Sequence, residues 1–169
     1  MDATDMLAAL ARCAEASAAP GQPGPVFAAI DAAVQAVVGH RLFTLLLVDG
    51  AEVARVHSSD PRAYPTSGRK RMEGTPWGRH VLDGRRIWIG QTPEDLRWAF
   101  SDHALIASLG CGSCVNVPVV HDARVLGTIN VLHEAGWFDA RKAARVAAFA
   151  PLLQLPFARA ARIGAGDAP

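Results

Sequence analysis

The chain has almost no net charge, no long apolar run and only three cysteines, and each shortage removes a class of function. Seventeen Lys and Arg against sixteen Asp and Glu leave +1, without the basic excess that tracks a phosphate backbone, so no nucleic-acid partner is expected. The best apolar runs, such as Leu45–Val48, are strand-length. They fall short of the roughly eighteen residues that a membrane span needs, so nothing is expected to cross a membrane. Asp2 and Asp5 stand where a signal peptide carries positive charge, which argues against a leader. An odd number of cysteines builds no disulfide framework and suits a reducing compartment, so the expected location is cytoplasmic.

Several catalytic motifs are also missing. There is no Gly-x-Ser-x-Gly elbow, and Ser113, between Gly112 and Cys114, lacks the strand-to-helix setting of a nucleophile. No glycine-rich loop follows a strand and opens a helix, as a phosphate cradle would. Cys111-Gly-Ser-Cys114 is half of a zinc site by type, with His103 and His121 as further ligands. A second tight pair is absent, and His121 lies a strand's length beyond Cys114. Nor does the cysteine pair open a helix, as thioredoxin-type chemistry requires. The plainer reading makes Cys111 and Cys114 small hydrophobes in a tight turn, with an oxidant-sensitive thiol as the alternative. Neither a metal nor a cofactor is expected, and His57, His80 and His133 read as satisfied polar residues within elements.

What is present suits one core-bearing domain, since half of the 169 residues are apolar. Helices are predicted over 3–18 and about 26–38, the second with Val26, Phe27, Ile30, Ala33, Val34, Val37 and Val38 on one face. Two strand-like runs flank Asp49-Gly50, a hairpin signal. Residues 60–74 carry two Pro, two Gly and four Lys or Arg with no apolar period, and read as a long loop. Thr75-Pro76 opens a short helix that ends before Asp83, and 85–90 reads as a strand. Thr92-Pro93 opens a helix that closes at Gly110 with a break near Ser101-Asp102. Strands follow at 113–120 and 124–133, then an Ala-rich helix over 139–163 that Pro151 and Pro156 should kink. The tail from Gly164 is expected to be disordered. Neighbouring strand pairs with helices at both ends predict an α+β antiparallel sheet.

This order, with Asn116-Val-Pro118 in one strand and Leu126-Gly-Thr-Ile-Asn130 in the next, resembles the GAF family of small-molecule sensor domains. The likeness is clearest at 109–133 and extends over about 24–158, with 1–23 as N-terminal helix and linker and 159–169 as helix end and tail. It implies a central sheet of five or six strands, terminal helices on one face, and a helix and loop lid over a pocket on the other. On that architecture the pocket candidates are Tyr64, Arg69, Trp77, Trp88, Phe100, His103, Cys111, Cys114 and Asn116, aromatics with a few polar groups as a small-molecule site needs. Trp98 and Trp137 suit the core equally well. The basic residues Arg69, Lys70, Arg71, Arg79 and Arg85 suit either a solvated loop or the steering of an anionic ligand.

The resemblance implies a non-catalytic sensor, homodimeric through its terminal helices, with an unidentified small-molecule ligand. No output domain is expected, so the signal would leave through a downstream protein partner. One GAF branch, the free methionine sulfoxide reductases, uses pocket cysteines. This chain has none between Met72 and Gly110 to supply that branch's resolving thiol. A thiol reductase and an assembly module with a filled pocket are the alternatives. The Ala- and Arg-rich composition points to a bacterial source.

Overall fold

Side-chain alternation in three central strands organises the chain. The structure, a computed structural model, describes residues 3–164. Among them are six strands: β1 (Leu42–Asp49), β2 (Glu52–Ser58), β3 (Arg69–Arg71), β4 (Trp88–Gly90), β5 (Ser113–His121) and β6 (Arg124–His133). They form one antiparallel sheet in the order β3-β2-β1-β6-β5-β4. Phe43, Leu45 and Leu47 of β1, Val115, Val117 and Val119 of β5, and Ile129 and Val131 of β6 share one face. Against it pack α1 (Ala3–Ala16), α2 (Gly24–Val37), α6 (Ala140–Ala147), a 3-10 turn (Ala150–Leu153) and α7 (Gln154–Gly164). Ile30, Val34, Val146, Phe149, Leu153 and Phe157 from these helices are fully buried there, each contributing about 1.5–3 kcal/mol of hydrophobic free energy.

The opposite face is covered by the chain between β2 and β5. Here lie β3, the short α3 (Pro76–Gly78) running into a π-helical turn (Arg79–Asp83), α4 (Pro93–Ala99) and α5 (His103–Ser108). Each short element has its own start signal. Thr75 Oγ1 accepts from Gly78 N at 2.9 Å, and Thr92 and Asp95 form a reciprocal capping box at the start of α4. The helix ends at Ala99 and a second begins at His103, as the Ser101-Asp102 signal predicts.

The structure departs from the sequence reading at three places. The loop predicted over 60–74 contains the edge strand β3, because Lys70 and Arg69 pair with Val53 and Ala54 of β2. The strand predicted over 85–90 shrinks to Trp88–Gly90, which pairs with Cys114–Asn116 of β5. Arg85 stands in a positive-φ conformation (52°) that no ladder accommodates. The last helix breaks at Pro151, but Pro156 falls in the first turn of α7, where its missing N–H costs nothing. The tail predicted to be disordered lies, beyond Gly164, outside the described residues.

A bulge redirects part of β2. Leu45 pairs with His57 but Leu46 pairs with Arg55, leaving Val56 as an extra residue. Val53 and Arg55 therefore face the lid, whereas His57 turns to the helices and meets Asp31 of α2 at 2.7 Å. His40 takes the other Asp31 oxygen at 3.0 Å. Burial opposes ionisation of Asp31, but these two partners outweigh it and hold its carboxyl below the ordinary range. Pro118 sits where β4 no longer covers β5, so its missing donor leaves no ladder gap.

Two positions carry opposite backbone demands. The β5–β6 turn places Ala123 at φ 57°, a left-handed conformation that costs a residue with a Cβ about 1–2 kcal/mol. In β6, a Cβ on Gly127 would stand 2.2 Å from the Leu46 carbonyl oxygen and 2.7 Å from the Phe157 ring. Urea denaturation should show Ala123→Gly raising stability by about 0.5–1 kcal/mol, the strain relieved less the added freedom of the unfolded chain. Gly127→Ala should lower it by at least about 1–3 kcal/mol through overpacking.

Candidate functional site

The lid face of the sheet is polar at its centre. One row runs across five strands through registered neighbours: Trp88, Asn116, Asn130, Thr44 and Ser58. Asn116 and Asn130 are buried and bond to each other, Asn116 Nδ2 to Asn130 Oδ1 at 2.5 Å. Trp77 reaches down from α3 and donates Nε1–H to Asn116 Oδ1 at 2.9 Å. Thr128 Oγ1 donates to Asn130 Oδ1 at 3.1 Å, and Asn130 Nδ2 reaches the Thr44 carbonyl at 3.4 Å. This network joins lid to sheet through buried bonds that water cannot replace while the lid is closed.

Toward the β2 edge the row gives way to charge. Arg55 is 6% exposed. Its Nη1 donates to the Pro65 carbonyl at 2.5 Å and its guanidinium lies 3.5 Å from the centroid of the Tyr64 ring. The Tyr64 hydroxyl donates to Asp102, at the α4–α5 joint. Lys70 of β3 reaches over the same ring and donates to Asp102 Oδ1 at 2.5 Å and to the Tyr64 hydroxyl at 2.9 Å. Burial would raise the Asp102 pKa, but the Lys70 charge and the two hydrogen bonds outweigh it, so the carboxyl stays below its ordinary range. Burial pushes Lys70 down, with Asp102 only partly restoring it. Tyr64 moves strongly up, through burial first and then its bond to Asp102, and stays a neutral donor.

Arg55, Tyr64 and Lys70, with Thr44, Leu46, Phe100, Ile106, Asn130 and Leu132, line a cavity of about 20 Å³, enough for one water-sized group. Two larger depressions lie elsewhere. One of about 550 Å³, apolar, runs between α1 and α7 and is lined by Cys13, Val26, Leu152 and Leu155 among others. The other, about 480 Å³ and open, lies between the two hairpin tips.

Of the residues singled out from sequence, Tyr64 and Phe100 line the small cavity. Trp77 and Asn116 bond to each other beneath the lid. Cys111 and Cys114 are buried in the lid's apolar cluster beside Leu132. Burial pushes the Cys111 thiol up to about 11 and the Cys114 thiol higher, so both stay protonated at neutral pH and are poor nucleophiles. Trp88 is half-buried and stacks on Trp98, which is 51% exposed and so outside both cores. His103 begins α5 with Nδ1 3.1 Å from the Phe100 carbonyl. Arg69 is on the outer edge, paired with Asp49 at 2.5 Å and Glu52 at 2.8 Å. Among the described residues no group of three His, Cys, Asp or Glu side chains is placed to hold a metal.

Arg55 and Asp102 were not among the candidates drawn from sequence. Arg55 lies in the second of the two strand-like runs around Asp49-Gly50, and a strand-like run alone does not show which face a residue takes. Asp102 read as a helix break, which it also is.

The GAF domain family model matches residues 28–154. Among solved structures the chain is similar to the GAF domain from a phosphoenolpyruvate-protein phosphotransferase of Coxiella burnetii. That likeness has 17% identity and a TM-score of 0.77, over 98% of this chain and 99% of that one. It is also similar to the GAF domain of an Acinetobacter phosphoenolpyruvate-protein phosphotransferase, at 15% identity and TM-score 0.75 over 97% of this chain and 98% of that one. The A. aeolicus nlh2 GAF domain in an inactive state shares 10% identity, with TM-score 0.70 over 93% of this chain and 98% of that one. At these identities the likeness carries the fold. No curated protein matches the chain.

The Lys70–Asp102 contact sets a pH dependence whose sign follows from the lowered pKa of Asp102. A carboxyl with a depressed folded-state pKa stabilises the fold above its unfolded value of about 4 and loses that contribution as pH falls. Asp102→Asn should be less stable than wild type by about 1–3 kcal/mol at pH 7. The loss is smaller than for a sealed pair, because the two side chains keep 19% and 23% exposure. Urea midpoints measured from pH 7 downward should show the gap narrowing once the pH falls below the unfolded value of about 4, as the wild-type carboxyl takes up its proton.

Proposed function

Because the chain belongs to the GAF domain family, whose members generally act in sensing or ligand binding, we propose that it is a small-molecule sensor whose ligand binds beneath the lid. The observation that carries this reading is the asymmetry between the two faces of the sheet. The helix face is a sealed apolar core, whereas Thr44, Arg55, Asn116, Thr128 and Asn130 are buried on the lid face. An interior meant only as filler gains nothing from buried polar groups, each of which must find a partner or lose stability. A ligand site needs a few such groups among apolar walls.

Binding is proposed to work by population shift. The closed lid leaves room for one water-sized group, so a ligand preferring a displaced lid draws the protein toward that arrangement. The protonated, buried thiols of Cys111 and Cys114 favour a non-catalytic role over a thiol reductase. The cytoplasm, which suits three unpaired cysteines, is the proposed compartment. A homodimer through the terminal helices is proposed as the assembly, supported by Leu7, Leu155 and Ile163, which expose large apolar side chains on α1 and α7. The apolar groove between these helices runs alongside. The signal would pass from the dimer to a protein partner.

Thermal unfolding against a metabolite panel tests the ligand reading. A binder present at a hundred times its dissociation constant should add about 2.7 kcal/mol of stability, whereas a flat response across a broad panel favours an assembly module. Native mass spectrometry should give twice the 17.9 kDa chain mass, reduced to the single mass in Leu155→Asp.

A further inference from the structure

Resting on the reading of a ligand site beneath the lid, we infer that the site takes a small monocarboxylate, whose carboxylate pairs with Arg55 and competes with Asp102 for Lys70. The inference starts from a count of charges. Arg55 and Lys70 bring two cations beneath the lid, and among the described residues Asp102 is the one carboxylate that meets them. Tyr64 and Cys114, the nearby acidic groups, are both held neutral by burial and supply no second anion. The cluster therefore holds a surplus positive charge where little water reaches it. A surplus of this kind is costly unless an anion answers it.

Hydrogen bonding leads to the same place. Arg55 is the residue with a buried side-chain nitrogen, Nε, that finds no partner among the described residues. Its Nη1 is committed to the Pro65 carbonyl, and the Tyr64 ring covers the guanidinium without accepting an N–H. The loop above is pressed close: a Cβ on Gly68 would lie 2.4 Å from Arg55 Nη1. A guanidinium edge with an unsatisfied N–H is the donor geometry that carboxylates fit.

The walls restrict what else the anion carries. Leu46, Phe100, Ile106 and Leu132 face the same cavity, whose volume of about 20 Å³ holds one water-sized group, so even a small anion enters only as the lid moves. A dianion such as phosphate would bring a second charge with no second free cation among the described residues beneath the lid. Formate or acetate matches both the charge and the walls. Drawing Lys70 from Asp102 would loosen the joint between α4 and α5, so that ligand charge is converted into lid movement.

The test is the arginine Nε–H region of the 15N spectrum of the full chain, with Arg55 assigned by the loss of its signal in Arg55→Lys. Sodium acetate and sodium formate are titrated against sodium chloride and sodium phosphate at equal ionic strength. Acetate or formate should shift the Arg55 signal saturably, and phosphate and chloride should not. Asp102→Asn, lacking the competing carboxylate, should bind acetate at least tenfold more tightly, and Lys70→Met at least tenfold more weakly. If the wild-type signal responds to acetate and formate no more than to chloride, the inference is overturned, whether or not Asp102→Asn folds. Should that happen while another compound of the metabolite panel raises the melting temperature, the sensor reading stands and the monocarboxylate alone is wrong. A flat panel removes both.

Discussion

Asn116 and Asn130 face each other across β5 and β6 with almost no access to water, and their amides must find every partner inside the protein. That requirement shapes the lid. One amide oxygen is met by the Trp77 indole, which fixes where α3 crosses the sheet, and one amide nitrogen reaches back to β1 at Thr44. An apolar pair at these positions would let the lid slide, whereas a hydrogen-bonded pair tolerates one register. The sheet thus has a face that is packed and a face that is wired, and function is expected on the second.

The wiring changes character along the row. At Trp77 it is neutral and complete, while at Arg55 and Lys70 it is charged and incomplete, with Tyr64 as a hinge plate between loop, β2 and the α4–α5 joint. Charged contacts in a poorly hydrated space are the ones that an incoming ion can exchange, because its own charge replaces what it displaces. The neutral end holds the lid in place while the charged end is free to rearrange.

The two cores differ correspondingly. The helix-side core runs without interruption from α1 to α7, whereas the lid is a set of helical pieces of three to seven residues. Helices that short are held by caps and by packing rather than by their own propensity. Local opening is therefore cheapest on the lid side, where the proposed ligand would enter.

Much of the fold was legible in the sequence because it rests on short-range rules. The Asp49-Gly50 turn, the face of α2, the Thr75 and Thr92 caps and the break at Ser101-Asp102 are local signals, and the structure follows each. The edge strand β3 was not legible, since Arg69–Arg71 has no apolar period and is a strand only because β2 offers an open edge. Nor was the Val56 bulge, which sends Arg55 and His57 to opposite sides of the sheet although simple alternation places them together. Of the candidate site, the aromatics and Asn116 could be named from the resemblance, and the charged end could not. Arg55, Lys70 and Asp102 meet across separations of 15 to 47 positions, and charge pairing at that range leaves no periodic trace. The sequence by itself determined the elements, their order and the apolar faces, because each follows from neighbours a few residues apart. Only the tertiary structure decided which cation turned inward and which carboxylate met it, because burial and pairing depend on what the folded chain brings alongside.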